Sequence, residues 1–195
     1  TMRTDIVLSG VGGQGILSIA TIIGAAAINK GLYIKQAEVH GMSQRGGDVQ
    51  SNLRLSSDPI SSDLIPLGGA NLVISLEPME ALRYLPYLNK EGWIITNTAP
   101  FVNIDNYPDV EELNKTLAAL PHVIAIDVDG IAKQVASPRA ANIVLLGAAA
   151  PFLGIDIEEL EEGIRTIFGR KGEDVVEMNI KALRAGCEYA KQNIK

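Results

Sequence analysis

Short β-branched runs alternating with longer apolar segments predict an α/β domain: a three-layer αβα sandwich around a mostly parallel sheet with one antiparallel strand. Three observations carry this. The first is the alternation itself, because a parallel strand must be reached by a crossover, usually a helix. The second is a glycine-rich turn between the first strand and the first helix, the signature of Rossmann-like sheets. The third is residues 48–56, where polar residues alternate with Val49, Leu53 and Leu55, as expected of a half-exposed antiparallel strand. The chain has 195 residues and no linker, low-complexity tract or internal repeat, so 1–195 reads as a single domain.

Residues 5–9 form the first strand, and 16–28 follow as a helix that is apolar on nearly every face. Such a helix is buried, under its own sheet or against another subunit. It is expected to contribute to a subunit interface, so that Ile19→Asp would weaken assembly. Gly31 ends it, and 33–38 make the second strand. Residues 39–47 are polar and glycine-rich without helical period, and read as a loop. Beyond strand 48–56, a buried strand at 72–76 leads into a helix at 77–85 with Pro78 in its first turn. Strand 91–97, an amphipathic helix at 110–120 and strand 123–127 come next, then helical segments at 129–135 and 139–152. Asp156 stands at an N-cap ahead of the acidic first turn of another helix, and 173–195 form a long terminal one.

A formal net charge of −6 argues against nucleic acid or an anionic membrane as partner, since both attract basic patches. The most apolar stretch, 140–153, is too short to span a bilayer. The start lacks the apolar core and cleavage site of a secretory signal, so a cytoplasmic location is expected. Cys187 is the one cysteine, which rules out an internal disulfide and a cysteine-ligated cluster, and its helical setting suggests a buried thiol. His40 and His122 stand far apart, and no metal-ligating set is assigned. No catalytic residue is assigned either.

Gly10, Gly12 and Gly15 form a G-x-G-x-x-G turn that follows a strand and opens a helix. In that setting glycines allow a tight turn and close approach, while free helix N–H groups attract an anion. A stand-alone NAD(P) or flavin oxidoreductase would also need an acid about twenty residues on to hold a ribose. Glu38 lies near that place, but the polar loop after it is not a βα unit. Alternatively the glycines only fit the helix against the sheet.

The run Gly10-Val11-Gly12-Gly13-Gln14-Gly15, followed by Glu38-Val39-His40-Gly41-Met42-Ser43-Gln44-Arg45-Gly46-Gly47, resembles the gamma-type subunits of 2-oxoacid:ferredoxin oxidoreductases. These form the pyruvate, ketoisovalerate and indolepyruvate family, and the match is nearest to the form found in two-subunit indolepyruvate enzymes. It covers nearly the whole chain, and the second motif is the more specific. The resemblance implies a division of labour. Thiamine diphosphate, magnesium and iron–sulfur clusters would sit on a large alpha-type partner, which also reduces ferredoxin. This chain would hold no cofactor firmly, would support assembly, and would shape the coenzyme A side of the site. The whole complex would convert a 2-oxoacid to an acyl-coenzyme A.

Within that reading Gly10, Gly12, Gly13 and Gly15 offer backbone N–H groups, and Gln14 an amide that can reach a phosphate or a partner backbone. Arg45 would hold a phosphate bidentately, Ser43 and Gln44 would supplement it, and His40 and Gly46 belong to the same loop. A ligand pocket and an inter-subunit contact both stay open for this loop, and both hold if the ligand lies between subunits. Self-pairing of the isolated chain through exposed apolar surface is also left open. Elsewhere, Glu77, Glu80, Glu111 and Glu112 read as dipole-stabilised carboxylates at helix starts. Glu158, Glu159, Glu161 and Glu162 read as a solvated helix face, Ser137 as a cap, and Asp127 as a neighbour of the sheet's ligand-binding edge.

Overall fold

The computed structural model describes residues 1–40, 47–102 and 104–194. Its sheet has six strands in the order β2-β3-β1-β4-β5-β6. They are β1 (Arg3–Val11), β2 (Tyr33–His40), β3 (Asp48–Ser56), β4 (Ala70–Ser75), β5 (Leu88–Asn97) and β6 (Val123–Ile126). Strands β1, β4, β5 and β6 are parallel, and β3 is antiparallel to both its neighbours. The helices are α1 (Ile16–Asn29), α2 (Pro78–Arg83), α3 (Val110–Ala118), α4 (Val128–Val135), α5 (Ala141–Ala149), α6 (Ile157–Phe168) and α7 (Glu173–Asn193).

Helix α1 has definite ends. Gly15 (φ 92°) opens it, and Gly31 (φ 77°) closes it in a left-handed turn. There Leu32 N–H reaches the Ala27 carbonyl and Gly31 N–H that of Ile28, the paired bonds of a Schellman motif. Its Ile16, Ile19, Ile22, Ile23 and Ala26 join Ile6 and Leu8 of β1, Leu53 and Leu55 of β3, and the apolar side of α5 in one core. Each fully buried side chain of this size contributes about 2 kcal/mol relative to exposure.

Behind α5 lies α7, so close that a Cβ on Gly147 would overlap the Leu183 carbonyl and one on Gly186 the Val144 carbonyl. The two helices meet backbone to backbone. The other face of the sheet is thinner: Val7, Val73 and Ile94 are covered by Ala81 and Tyr84 at α2 and by Ile65 from the preceding segment.

Three expectations are corrected here. Strand β3 is not half-exposed, because it runs between β1 and β2 and is buried from Ser51 to Ser56. Its polar face is covered by the segment that follows it. The Arg54 guanidinium binds both Asp5 oxygens and the carbonyls of Ser62 and Leu64, holding that segment down. Second, Ile19 belongs to this chain's own core, at 0% exposure. Aspartate there would unfold the domain rather than probe an interface; the large apolar residues of α1 that are exposed are Leu17 and Ile28. Third, Glu161 is not solvated. It is buried beneath α7 and accepts from the Arg184 Nε at 2.8 Å.

Cys187 is buried, and burial pushes its thiol up from the ordinary range, as befits an unreactive structural thiol. Ser137 accepts from the Arg139 N–H and so caps as its position suggests, and Asp127 accepts from the Gly130 N–H at the start of α4. Asp156 occupies its N-cap position without a side-chain cap bond. Among the described residues no helix is long and apolar enough to cross a membrane.

Candidate functional site

Parallel strands β1, β4, β5 and β6 all end at one edge of the sheet, where open α/β sheets carry their ligands. The glycine turn lies there. So does the mouth of the β2–β3 hairpin, because Val11 pairs with Asp48 and His40 with Val49. The Gly12 N–H donates to the Gly47 carbonyl at 2.9 Å. One backbone bond thus joins the glycine turn to the end of the second motif, thirty-five residues away along the chain.

Within the turn, Gly10 still belongs to β1, and a Cβ on it would lie 2.9 Å from the Gln14 Oε1. That oxygen accepts the Val11 N–H at 2.7 Å, and the Gln14 Nε2 donates to the Leu76 carbonyl at 3.3 Å. The Gln14 amide therefore braces the turn instead of reaching outward, which differs from its expected role. Gly13 and Gly15 both have φ 92°. A Cβ on Gly15 would come within 2.6 Å of the Asn142 Nδ2, which itself holds the Gly15 carbonyl at 3.2 Å.

Gly13, Gln14 and Gly15 form one wall of a crevice of about 380 Å³. Asn97, Asp129, Arg139 and Asn142 are across from them. Asn97 ties the crevice floor together: its Nδ2 donates to the Leu76 carbonyl at 3.2 Å and its Oδ1 accepts from Val128 at 3.5 Å. The first N–H groups of α1 lack intrahelical acceptors and open on this side, where the helix dipole favours an anion. Arg139 adds an exposed guanidinium.

Sequence reading missed Asn97, Arg139 and Asn142 as crevice residues. The available signal was an amide side chain closing an apolar strand (Asn97) or opening an apolar helix (Asn142). Their convergence depends on crossovers that no local pattern encodes. Ser43, Gln44, Arg45 and Gly46 lie outside the described residues, and His40 is placed as the last residue of β2.

Beside the crevice is a second polar group. Glu77 is fully buried and caps α2 by accepting from Met79 and Glu80. Its other oxygen accepts the Phe101 N–H at 2.9 Å and the Tyr107 hydroxyl at 2.6 Å. Burial, and then the bond to Glu77, raise the Tyr107 hydroxyl far above its ordinary value. Burial likewise raises the Glu80 carboxyl, although Arg83 binds it at 2.9 Å and opposes the shift. Tyr84 is pushed up to about 12, first by burial and then by Asp48.

Glu38 does not meet the dinucleotide requirement. Strand β3 lies between β1 and β2, so its backbone is two strand spacings from β1, roughly 10 Å. Glu38 accepts instead from the Gln36 Nε2 at 3.1 Å. Among the described residues no group of three or more His, Cys, Asp or Glu side chains is placed to hold a metal.

A doubly wound sheet with a glycine turn at its ligand edge and an inserted β2–β3 hairpin defines a Rossmann-like module that departs from the dehydrogenase pattern. Residues 5–189 match the pyruvate ferredoxin/flavodoxin oxidoreductase family model, and the chain belongs to that family. The indolepyruvate oxidoreductase subunit IorB of Archaeoglobus fulgidus is 39% identical, over 97% of this chain and 96% of that protein. In structure, the gamma subunit of a keto/oxoacid ferredoxin oxidoreductase from Geobacter sulfurreducens superposes with a TM-score of 0.71 at 26% identity, covering 97% and 99% of the two chains. A 2-oxoglutarate:ferredoxin oxidoreductase from Magnetococcus marinus, solved with 2-oxoglutarate, coenzyme A and succinyl-CoA, shares the fold at a TM-score of 0.78 and 24% identity. This chain is matched over its full length but spans only 32% of that one.

Proposed function

We propose that the chain is the small, non-catalytic or co-catalytic subunit of a 2-oxoacid:ferredoxin oxidoreductase. The complex would oxidatively decarboxylate indolepyruvate or another aryl pyruvate to the acyl-coenzyme A and pass the electrons to ferredoxin. The observation that carries this is the meeting of the two motifs at the sheet's ligand edge, through the Gly12–Gly47 bond, beside the crevice. A large partner chain supplies thiamine diphosphate, magnesium and iron–sulfur clusters; a chain with one cysteine offers no set of thiolates for a cluster. A cytoplasmic location is part of the same proposal.

The crevice fits an anionic part of coenzyme A. The absent Cβ of Gly13, which has no neighbour within 4 Å, leaves room for close approach to backbone N–H groups. Arg139 adds a forked donor suited to phosphate. When bound, the coenzyme's thiol accepts the acyl group. This chain's part is to hold the carrier at the edge facing the partner and to leave the chemistry there.

The assembled complex tests this through Arg139→Glu. The KM for coenzyme A should rise about tenfold or more, with the KM for the 2-oxoacid unchanged. An unaltered KM for coenzyme A would remove the crevice from the reaction.

A further inference from the structure

The ladders of the parallel strands stop just short of the crevice. Ser9 of β1 pairs with Ser75 of β4, and Ser75 with Thr96 of β5, as the last partners toward this edge. One residue further, the Leu76 N–H still reaches the Ser9 carbonyl at 3.0 Å, but the Leu76 carbonyl takes side-chain donors. It accepts from the Gln14 Nε2 at 3.3 Å on the β1 side and from the Asn97 Nδ2 at 3.2 Å on the β5 side. Leu76 follows β4, the strand between those two, so both sides of the edge meet at this one oxygen. The peptide that carries it is fixed in turn: the Ser75 hydroxyl donates to the Glu77 carbonyl at 2.7 Å and accepts the Glu77 N–H at 3.2 Å.

Each amide has a second anchor, on its own wall of the crevice. The Gln14 Oε1 holds the glycine turn through the Val11 N–H at 2.7 Å. The Asn97 Oδ1 accepts the Val128 N–H at 3.5 Å, and the next residue, Thr98, donates its N–H to the Ile126 carbonyl at 3.1 Å. Asn97 is thereby tied to the entry of α4, whose Asp129 lines the crevice. Glycine wall and α4 wall are joined by one line of bonds that runs through Gln14, Leu76 and Asn97.

We propose that Gln14 and Asn97 are positioning residues for coenzyme A, which set the width of the crevice by acting in series through the Leu76 carbonyl. This rests on the coenzyme reading of the crevice given above. An anion gains from the backbone N–H groups and from Arg139 only at hydrogen-bond range, so a small widening costs much of the binding.

The test is steady-state kinetics of the assembled complex carrying Gln14→Met, Asn97→Ser or both, beside Arg139→Glu. Methionine matches glutamine in length, serine keeps an oxygen, and neither brings charge into the crevice. Each single variant should raise the KM for coenzyme A about tenfold and leave that for the 2-oxoacid in place. Because one broken link frees both walls, the double variant should be no worse than the more impaired single. Braces that only support the fold would shift both KM values together and multiply in the double variant, and that result overturns the proposal. Asn97 is buried whereas Gln14 is half-buried. If Asn97→Ser fails to assemble, Gln14→Met still decides through the split between the two KM values. If Arg139→Glu raises the KM for coenzyme A and Gln14→Met does not, the positioning proposal is wrong and the coenzyme reading stands. If neither raises it, both fall.

Discussion

At the scale of single residues, the crevice depends on atoms that are missing. Gly13 and Gly15 share the same left-handed backbone, yet only Gly15 faces a neighbour: nothing lies within 4 Å of a Cβ on Gly13, whereas one on Gly15 would strike Asn142. Gly13→Ala should therefore cost about 1–2 kcal/mol from backbone strain alone. Gly15→Ala should cost about 1 kcal/mol more, because Asn142 must give up the Gly15 carbonyl. Urea unfolding of the isolated variants measures the difference, and equal midpoints would mean that Asn142 does not brace the turn. Gln14 shows where residue-level reading stops. Its type and place suggest a ligand contact, but its donor is the Val11 N–H of its own turn and its acceptor the Leu76 carbonyl, so the amide satisfies the backbone first.

At the scale of elements, the close approach of α5 and α7 depends on two glycines, Gly147 and Gly186. Gly186→Ala places a methyl group against the Val144 carbonyl, and neither backbone can yield without moving a helix. A loss of about 3 kcal/mol is expected in denaturant unfolding of the isolated chain; a neutral substitution would show that the helices can separate freely. The elements themselves were largely legible, since β-branched runs, the glycine turn and the Gly31 stop are local signals. The place of β3 was not. Its alternating polar residues look solvent-facing, and only the fold shows Arg54 drawing Ser62 and Leu64 over them. Glu161 misled for the same reason, its cation arriving from Arg184 on another helix. Of the crevice, the glycine wall was readable, while Asn97, Arg139 and Asn142 become neighbours only through the crossovers.

At the scale of the whole molecule, the domain joins one continuous core to a crevice at the sheet's ligand edge. One face of α1 is packed into its own chain's core, and the one cysteine is buried. At the sheet's ligand edge lie the crevice with Arg139 and the end of the second motif at Gly47. The proposed role asks of this chain a stable fold that presents the crevice to a larger partner. The most direct measurement is 2-oxoacid- and coenzyme A-dependent dye reduction by the purified chain, by the large subunit, and by the two mixed in increasing ratio. The account predicts no turnover from this chain alone and activity that saturates at a fixed ratio on mixing. Turnover or tight NAD(P)H binding by this chain alone would contradict it.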